Sequence, residues 1–163
     1  MLKPIYDFIG QFNAHTRLEE SLIIKKNNRF FLLNRKMKKI LCEDFYYAGT
    51  YLGKIKKNHF FPSFNLLSLI AMEHANKITV DEKTEWLFIC GRDVFKQGIT
   101  SIAGSGSKGN HTLIMNQHGE CLGFGRILHD IAHESNLRRA IIENVLDIGD
   151  FLRRERQVSY VQS

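Results

Sequence analysis

From Lys77 to Arg154 the chain sets short apolar segments between single glycines, a spacing that leaves room for strands and little room for helix. Ile78-Thr79-Val80 predicts a short strand and Thr84 to Cys90 a short helical segment, which Gly91 ends. Val94-Phe95-Lys96-Gln97-Gly98-Ile99 then leads into a strand, and Thr112 to Met115 supplies another. Cys121-Leu122-Gly123-Phe124-Gly125-Arg126-Ile127 is a strand carrying two glycines. Ala140 to Val145 and a last helix over Asp147 to Arg154 close the stretch.

The first half follows a different pattern. Leu2, Ile5, Tyr6, Ile9, Phe12 and Asn13 keep helical spacing, so residues 3–14 are expected to form one amphipathic helix. Leu22-Ile23-Ile24 and Phe30-Phe31-Leu32-Leu33 flank Asn27-Asn28, two residues that tolerate positive φ, which is a hairpin signal. Phe45 to Lys56 is expected to hold a further strand. From Pro62 the apolar positions Phe64, Leu67, Leu69, Ile70 and Ala71 predict a helix ending near His74, with Pro62 in its first turn. Helical spacing gives way to strand alternation between Glu73 and Lys77, and no Pro/Gly/Ser linker intervenes. Two units, 1–75 and 76–163, would each have a thin core, so a tight junction between them is expected.

The charge is unevenly placed. Up to Ala75 there are 12 Lys and Arg against 6 Asp and Glu; from Asn76 there are 11 of each, so the net charge of +6 belongs to the first half. Its densest runs are Lys25-Lys26, Arg35-Lys36-Met37-Lys38-Lys39 and Lys54-Ile55-Lys56-Lys57. Such a surface suits a polyanion such as nucleic acid, and a solvated lysine-rich face equally well. No apolar run reaches the ~18–20 residues of a membrane span, and Met1-Leu2-Lys3-Pro4 lacks a signal-peptide layout. Three cysteines far apart, Cys42, Cys90 and Cys121, fit a reducing compartment with the thiols serving as small core residues. A cytoplasmic protein is the expectation.

Motifs for catalysis or cofactors are weak. Gly104-Ser105-Gly106-Ser107-Lys108-Gly109-Asn110 suggests a phosphate loop, but GxxxxGK[ST] cannot be written there and the segment lies between two strands. A mobile strand connection is expected instead. His129 and His133 are four apart, yet the HExxH order is missing and a surface loop is expected. Cys90 follows the apolar Leu87-Phe88-Ile89 and is expected to be buried and inert. No catalytic residue, metal site or cofactor is assigned. Binding residues are better supported. Lys96 precedes Gly98, where a missing side chain either admits a phosphate to the backbone or makes a strand-entry turn. Tyr46, Tyr47 and Tyr51, near Lys54, Lys56 and Lys57, either stack on unpaired bases or belong to the core. Arg153, Arg154 and Arg156 sit on or just after the last helix, where positive charge also complements the helix dipole.

Gly49-Thr50-Tyr51-Leu52-Gly53-Lys54, His59-Phe60, Gly91 through Gly98, Leu122-Gly123-Phe124-Gly125 and Asp147-Ile148-Gly149-Asp150-Phe151-Leu152-Arg153 together carry a resemblance. The chain resembles the small two-domain, PUA-containing ribosome-biogenesis factors of archaea and eukaryotes, the nuclear import seven family, and its compact form is similar to archaeal members. The resemblance implies an α+β fold: an N-terminal antiparallel sheet with helices on one side, followed by a C-terminal PUA mixed β-barrel. It implies a non-enzymatic role in pre-rRNA processing and large-subunit assembly. It further implies contact with single-stranded uridine-rich RNA through Arg153 and Arg154, with Arg156 nearby, and exosome subunits or other assembly factors as protein partners. Glu155 interrupts that cluster, and Gln157 and Ser159 stand where further basic residues would extend it. Two other readings remain at this stage: a subunit of an RNA-modifying or RNA-degrading complex, and a protein-interaction scaffold.

Overall fold

The computed structural model describes residues 2–42, 44–150 and 153. Its first sheet is built from two tight hairpins. Strands β1 (Ile23–Lys26) and β2 (Arg29–Leu32) are joined by Asn27-Asn28, at φ 50° and 61°. Strands β3 (Thr50–Lys56) and β4 (His59–Pro62) are joined by Lys57-Asn58, at φ 49° and 61°. Two consecutive left-handed residues give the turn whose twist suits a right-twisted strand pair, and asparagine, present twice at the first turn, is after glycine the residue that adopts it most readily. The order is β1-β2-β3-β4, antiparallel throughout, with a bulge where β2 meets β3 between Phe30 and Phe31.

Helices α1 (Lys3–Gly10) and α3 (Phe64–Ala71) cover one side of this sheet. Ile5, Phe8 and Ile9 from α1, and Leu66, Leu67 and Ile70 from α3, pack with Ile23, Phe30 and Leu52 of the strands. Helix α3 begins one step later than the sequence suggests. Pro62 is the last residue of β4, and Ser63 is the N-cap, its Oγ accepting from the Leu66 N–H and donating to the Tyr51 carbonyl. A serine cap satisfies an otherwise orphaned helix donor, which a proline before it cannot do. The helix ends at Ala71 rather than near His74. Two elements were not anticipated: β4 itself, and a short helix α2 (Arg35–Ile40) capped by Asn34, whose side chain accepts from Met37 N–H.

The second sheet contains strands β5 (Lys77–Val80), β6 (Val94–Phe95), β7 (Ile99–Ala103), β8 (His111–Met115), β9 (Cys121–Ile127) and β10 (Ala140–Asp147). Their order is β6-β10-β9-β8-β5-β7, and only β5 and β8 run parallel. It curls into a half-barrel around helix α4 (Glu82–Ile89), which Asp81 caps by accepting from Thr84 N–H at 2.7 Å. Phe88 of α4 fills the interior with Ile78, Val80, Val94, Ile114, Leu122 and Ile142. The curl needs Gly123: φ there is 149°, and a methyl group would overlap the Leu146 carbonyl oxygen on β10.

The two sheets share a core. Leu113, Met115 and Phe124 of β8 and β9 belong to the same apolar cluster as α1 and α3, and Phe124 meets the rings of Phe8 and Phe12 at 5.6 and 5.5 Å. Asn76 ties the junction: its N–H donates to the Phe12 carbonyl and its own carbonyl accepts from Leu113 N–H. The fold is thus α+β, with an antiparallel sheet backed by helices followed by a curled mixed sheet.

Candidate nucleic-acid interface

The outer side of the first sheet, opposite α1 and α3, carries a row of basic residues. The Asn27-Asn28 turn sets Lys26 across from Arg29, and β2–β3 pairing sets Arg29 across from Lys54. Phe30 and Ile55 point into the core, so their neighbours Arg29, Lys54 and Lys56 point out. Lys26, Arg29 and Lys54 therefore form a row across three strands, about 5 Å apart from strand to strand. Phe61 of β4, opposite Lys54 and exposed, ends the row. Lys56 lies two pairs further along on the same face, opposite His59, and Lys57 is exposed in the turn.

A second row on the same face is aromatic. Phe31 is opposite Tyr51, and Phe31 is buried because Tyr51, Phe45 and Tyr47 roof it at ring separations of 5.6, 5.8 and 5.3 Å. Cations are interleaved with these rings: Lys26 Nζ lies 4.6 Å from the Phe45 centroid, and the Arg29 guanidinium lies 5.3 Å from Tyr46. Arg29 hydrogen-bonds the Tyr46 hydroxyl and pulls its pKa below the ordinary tyrosine value, while burial pushes that of Tyr51 up. Tyr46 and Tyr47 remain 82% and 57% exposed. The three tyrosines thus divide: Tyr51 supports the sheet, and Tyr46 and Tyr47 face solvent.

The basic residues expected in the second half are differently placed. Lys96 Nζ donates to the Glu134 carbonyl, so its charge is tied to the 128–139 loop. A methyl at Gly98 would overlap the Thr84 side chain, which makes this glycine a packing contact between α4 and the turn before β7. Arg153 is held at both ends of its fork, Nη1 donating to the Ile89 carbonyl at 2.6 Å and Nη2 to Asp147 Oδ2 at 2.7 Å. Arg154 and Arg156 lie outside the described residues. Lys54 and Lys56 are brought together on one face, while Lys96 and Arg153 belong to separate internal contacts.

Arg29 and Lys26 were missed as candidates, although the two-residue turn fixes their pairing in the sequence itself. The thiols also differ from expectation. Cys90 caps the end of α4 and is exposed because the helix turns only Phe88 inward, and Cys42 is exposed as well. Cys121 is half-buried, and burial pushes its thiol up to about 11. The 104–110 segment is pinned rather than free: Ser105 N–H donates to Asn76 Oδ1, Lys108 N–H to Asp130 Oδ1 and Gly109 N–H to the Ile127 carbonyl. His129 and His133 lie in a loop, and among the described residues no cluster of His, Cys, Asp or Glu has metal-site geometry. No helix among them is long and apolar enough to cross a membrane.

Residues 76–156 match the model of the UPF0113 PUA domain. The second half of this chain has the fold of a PUA domain. A UPF0113 protein of Archaeoglobus fulgidus is 29% identical over 113 residues, which are 68% of this chain, and the match spans 64% of the relative's length. Among solved structures, a conserved PUA domain protein from Thermoplasma acidophilum superposes with TM-score 0.60 at 19% identity, covering 94% of this chain and 92% of that one. A hypothetical protein from Pyrococcus horikoshii gives TM-score 0.56 at 14% identity, with 95% and 96% covered. The PUA domain here thus occurs in a two-sheet arrangement that these structures share over nearly their whole length.

Proposed function

We propose that the protein is a non-enzymatic RNA-binding factor acting in pre-rRNA processing and assembly of the large ribosomal subunit. The observation that carries this reading is a PUA domain, a fold that binds RNA, joined through one core to a sheet whose outer face carries the Lys26, Arg29, Lys54 row. Lys54, Lys56 and Lys57 on that sheet and Arg154 and Arg156 of the PUA domain are the proposed phosphate contacts; Lys96 and Arg153 are proposed to shape the domain. The partners are pre-rRNA, with single-stranded uridine-rich segments foremost, and other assembly factors or exosome subunits.

The test has two parts. Crosslinking in cells followed by sequencing is expected to recover large-subunit pre-rRNA. Anisotropy with short RNAs across a salt series is expected to show log affinity falling linearly with log salt, by about 0.7 for each phosphate neutralised on a single strand. A slope near zero, or crosslinks to protein without RNA, would refute the reading in favour of an interaction scaffold.

A further inference from the structure

The outer face of the first sheet combines three features that a solvated lysine surface does not require. The first is the cation row. Like charges placed directly opposite one another on neighbouring strands disfavour the sheet, and here Arg29 and Lys54 form such a pair. A chain of phosphates laid across the strands would relieve that repulsion.

The second feature is the set of exposed rings beside the row. Tyr46 and Tyr47 follow Phe45 in the loop leading to β3, and the loop is anchored because Phe45 and Tyr47 both pack edge-on against Phe31. Tyr47 also touches Tyr51 at 6.4 Å. Tyr46, the most exposed of these rings, is held by Arg29. Ordered aromatic faces lose little freedom on stacking a base. The third feature is position: α1 and α3 both lie on the other side of the sheet.

We infer that the outer face of the N-terminal sheet is a single-stranded RNA platform, with bases stacked on Tyr46 and Tyr47 and the backbone tracked by Lys26, Arg29 and Lys54. This deepens the proposed function and rests on it. Cation row and ring shelf together select an unpaired strand, because a duplex offers phosphates but keeps its bases stacked inside. An acidic protein segment would use the cations and leave the tyrosine faces without a role.

The experiment measures binding of a fluorescein-labelled ten-residue oligouridine and of a matched RNA duplex to the full chain and to three variants. Tyr46→Ala is expected to weaken oligouridine binding about five- to hundredfold with an unchanged salt slope, and to leave duplex binding unaltered. Tyr46→Phe keeps the stacking face and is expected to stay within about twofold of the parent. Lys54→Gln is expected to lower the salt slope by about 0.7. Both positions are exposed, so melting curves should match that of the parent, and Lys56→Gln replaces Lys54→Gln if that variant melts early. If the parent binds oligouridine and neither Tyr46→Ala nor Lys54→Gln changes it, the platform is wrong while RNA binding stands. If Lys54→Gln alone acts, and poly-glutamate competes as well as RNA, the face is an acidic-protein dock and the inference fails. If the parent binds no RNA, the functional proposal itself fails.

Discussion

Arg153→Ala distinguishes a structural arginine from an RNA-contacting one. Its guanidinium joins two segments, the end of α4 through the Ile89 carbonyl and the end of β10 through Asp147, while its backbone N–H donates to the Gly149 carbonyl. Asp147 is only 3% exposed, whereas Arg153 is 41% exposed. Removing the cation leaves a buried carboxylate without its partner. Breaking a fully buried pair costs about 3–5 kcal/mol, and the half-exposed arginine reduces this here to roughly 2–3 kcal/mol. For a chain of this size that is a fall in melting temperature of about 4–12 °C.

Calorimetry or circular-dichroism melts of four proteins test the value: parent, Arg153→Ala, Asp147→Asn and the double variant. The double variant is expected to recover part of the loss, because the carboxylate that Arg153→Ala strands is absent from it. Arg153→Lys is expected to fall between parent and alanine, since an ammonium cannot bridge two acceptors as a planar fork does. RNA affinity of Arg153→Ala, measured below its melting range, is expected to stay at the parent level. A variant that melts with the parent yet loses RNA binding would refute the argument and return Arg153 to the binding surface.

Further predictions address other parts of the fold. Gly98→Ala is expected to destabilise by about 1–3 kcal/mol because the new methyl meets Thr84, and adding Thr84→Ala is expected to restore part of that in thermal melts. Asn116 is buried, donates to Glu85 and Glu120 and accepts from the His118 and Glu120 N–H groups, so Asn116→Ala is expected to cost about 2–3 kcal/mol in urea unfolding. Burial holds the His111 pKa below its ordinary value, with Arg126 adding to the effect, so the unfolded chain takes up this proton first. Stability from this site is present above pH ~6.5 and lost as pH falls through the lower folded value; His111→Phe is expected to flatten that acid limb in melts run at successive pH values. With a thiol reagent at pH 8, Cys42 and Cys90 are expected to react in the native protein, and Cys121 only after unfolding.

Legibility in the sequence followed the range of the interaction involved. The β1–β2 hairpin was readable because Asn27-Asn28 supplies both the left-handed residues and the register. The strands and short helix of the second half were readable because their breaks are glycines, some held at positive φ as at Gly91 and others where a side chain cannot fit as at Gly98. Gly149 shows this well: a methyl there would overlap the Ile89 carbonyl, the atom that Arg153 also uses. Side-chain partners distant in the chain were not readable. Nothing near Lys96 announces that its ammonium meets a carbonyl 38 residues away, and nothing near Arg153 announces Ile89. Cys90 was misplaced for a related reason. Its apolar neighbours suggested burial, but a short helix on a curled sheet buries one residue in a turn, and that residue is Phe88.

The shared core bears on how two binding surfaces would act together. A flexible linker sets an effective concentration that falls with its length, whereas a fixed junction holds two sites at one separation. Here the Phe8, Phe12 and Phe124 rings meet across the junction, and Asn76 hydrogen-bonds on both sides of it. The N-terminal face and the PUA domain therefore present themselves as one body. A strand long enough to reach both would gain affinity without bending the protein, and one too short would reach only one. Affinity for oligouridines of increasing length is accordingly expected to rise in a step rather than smoothly, and loosening the junction with Phe124→Ala should blunt that step at temperatures where the variant stays folded. A smooth rise in the parent would mean that only one surface binds.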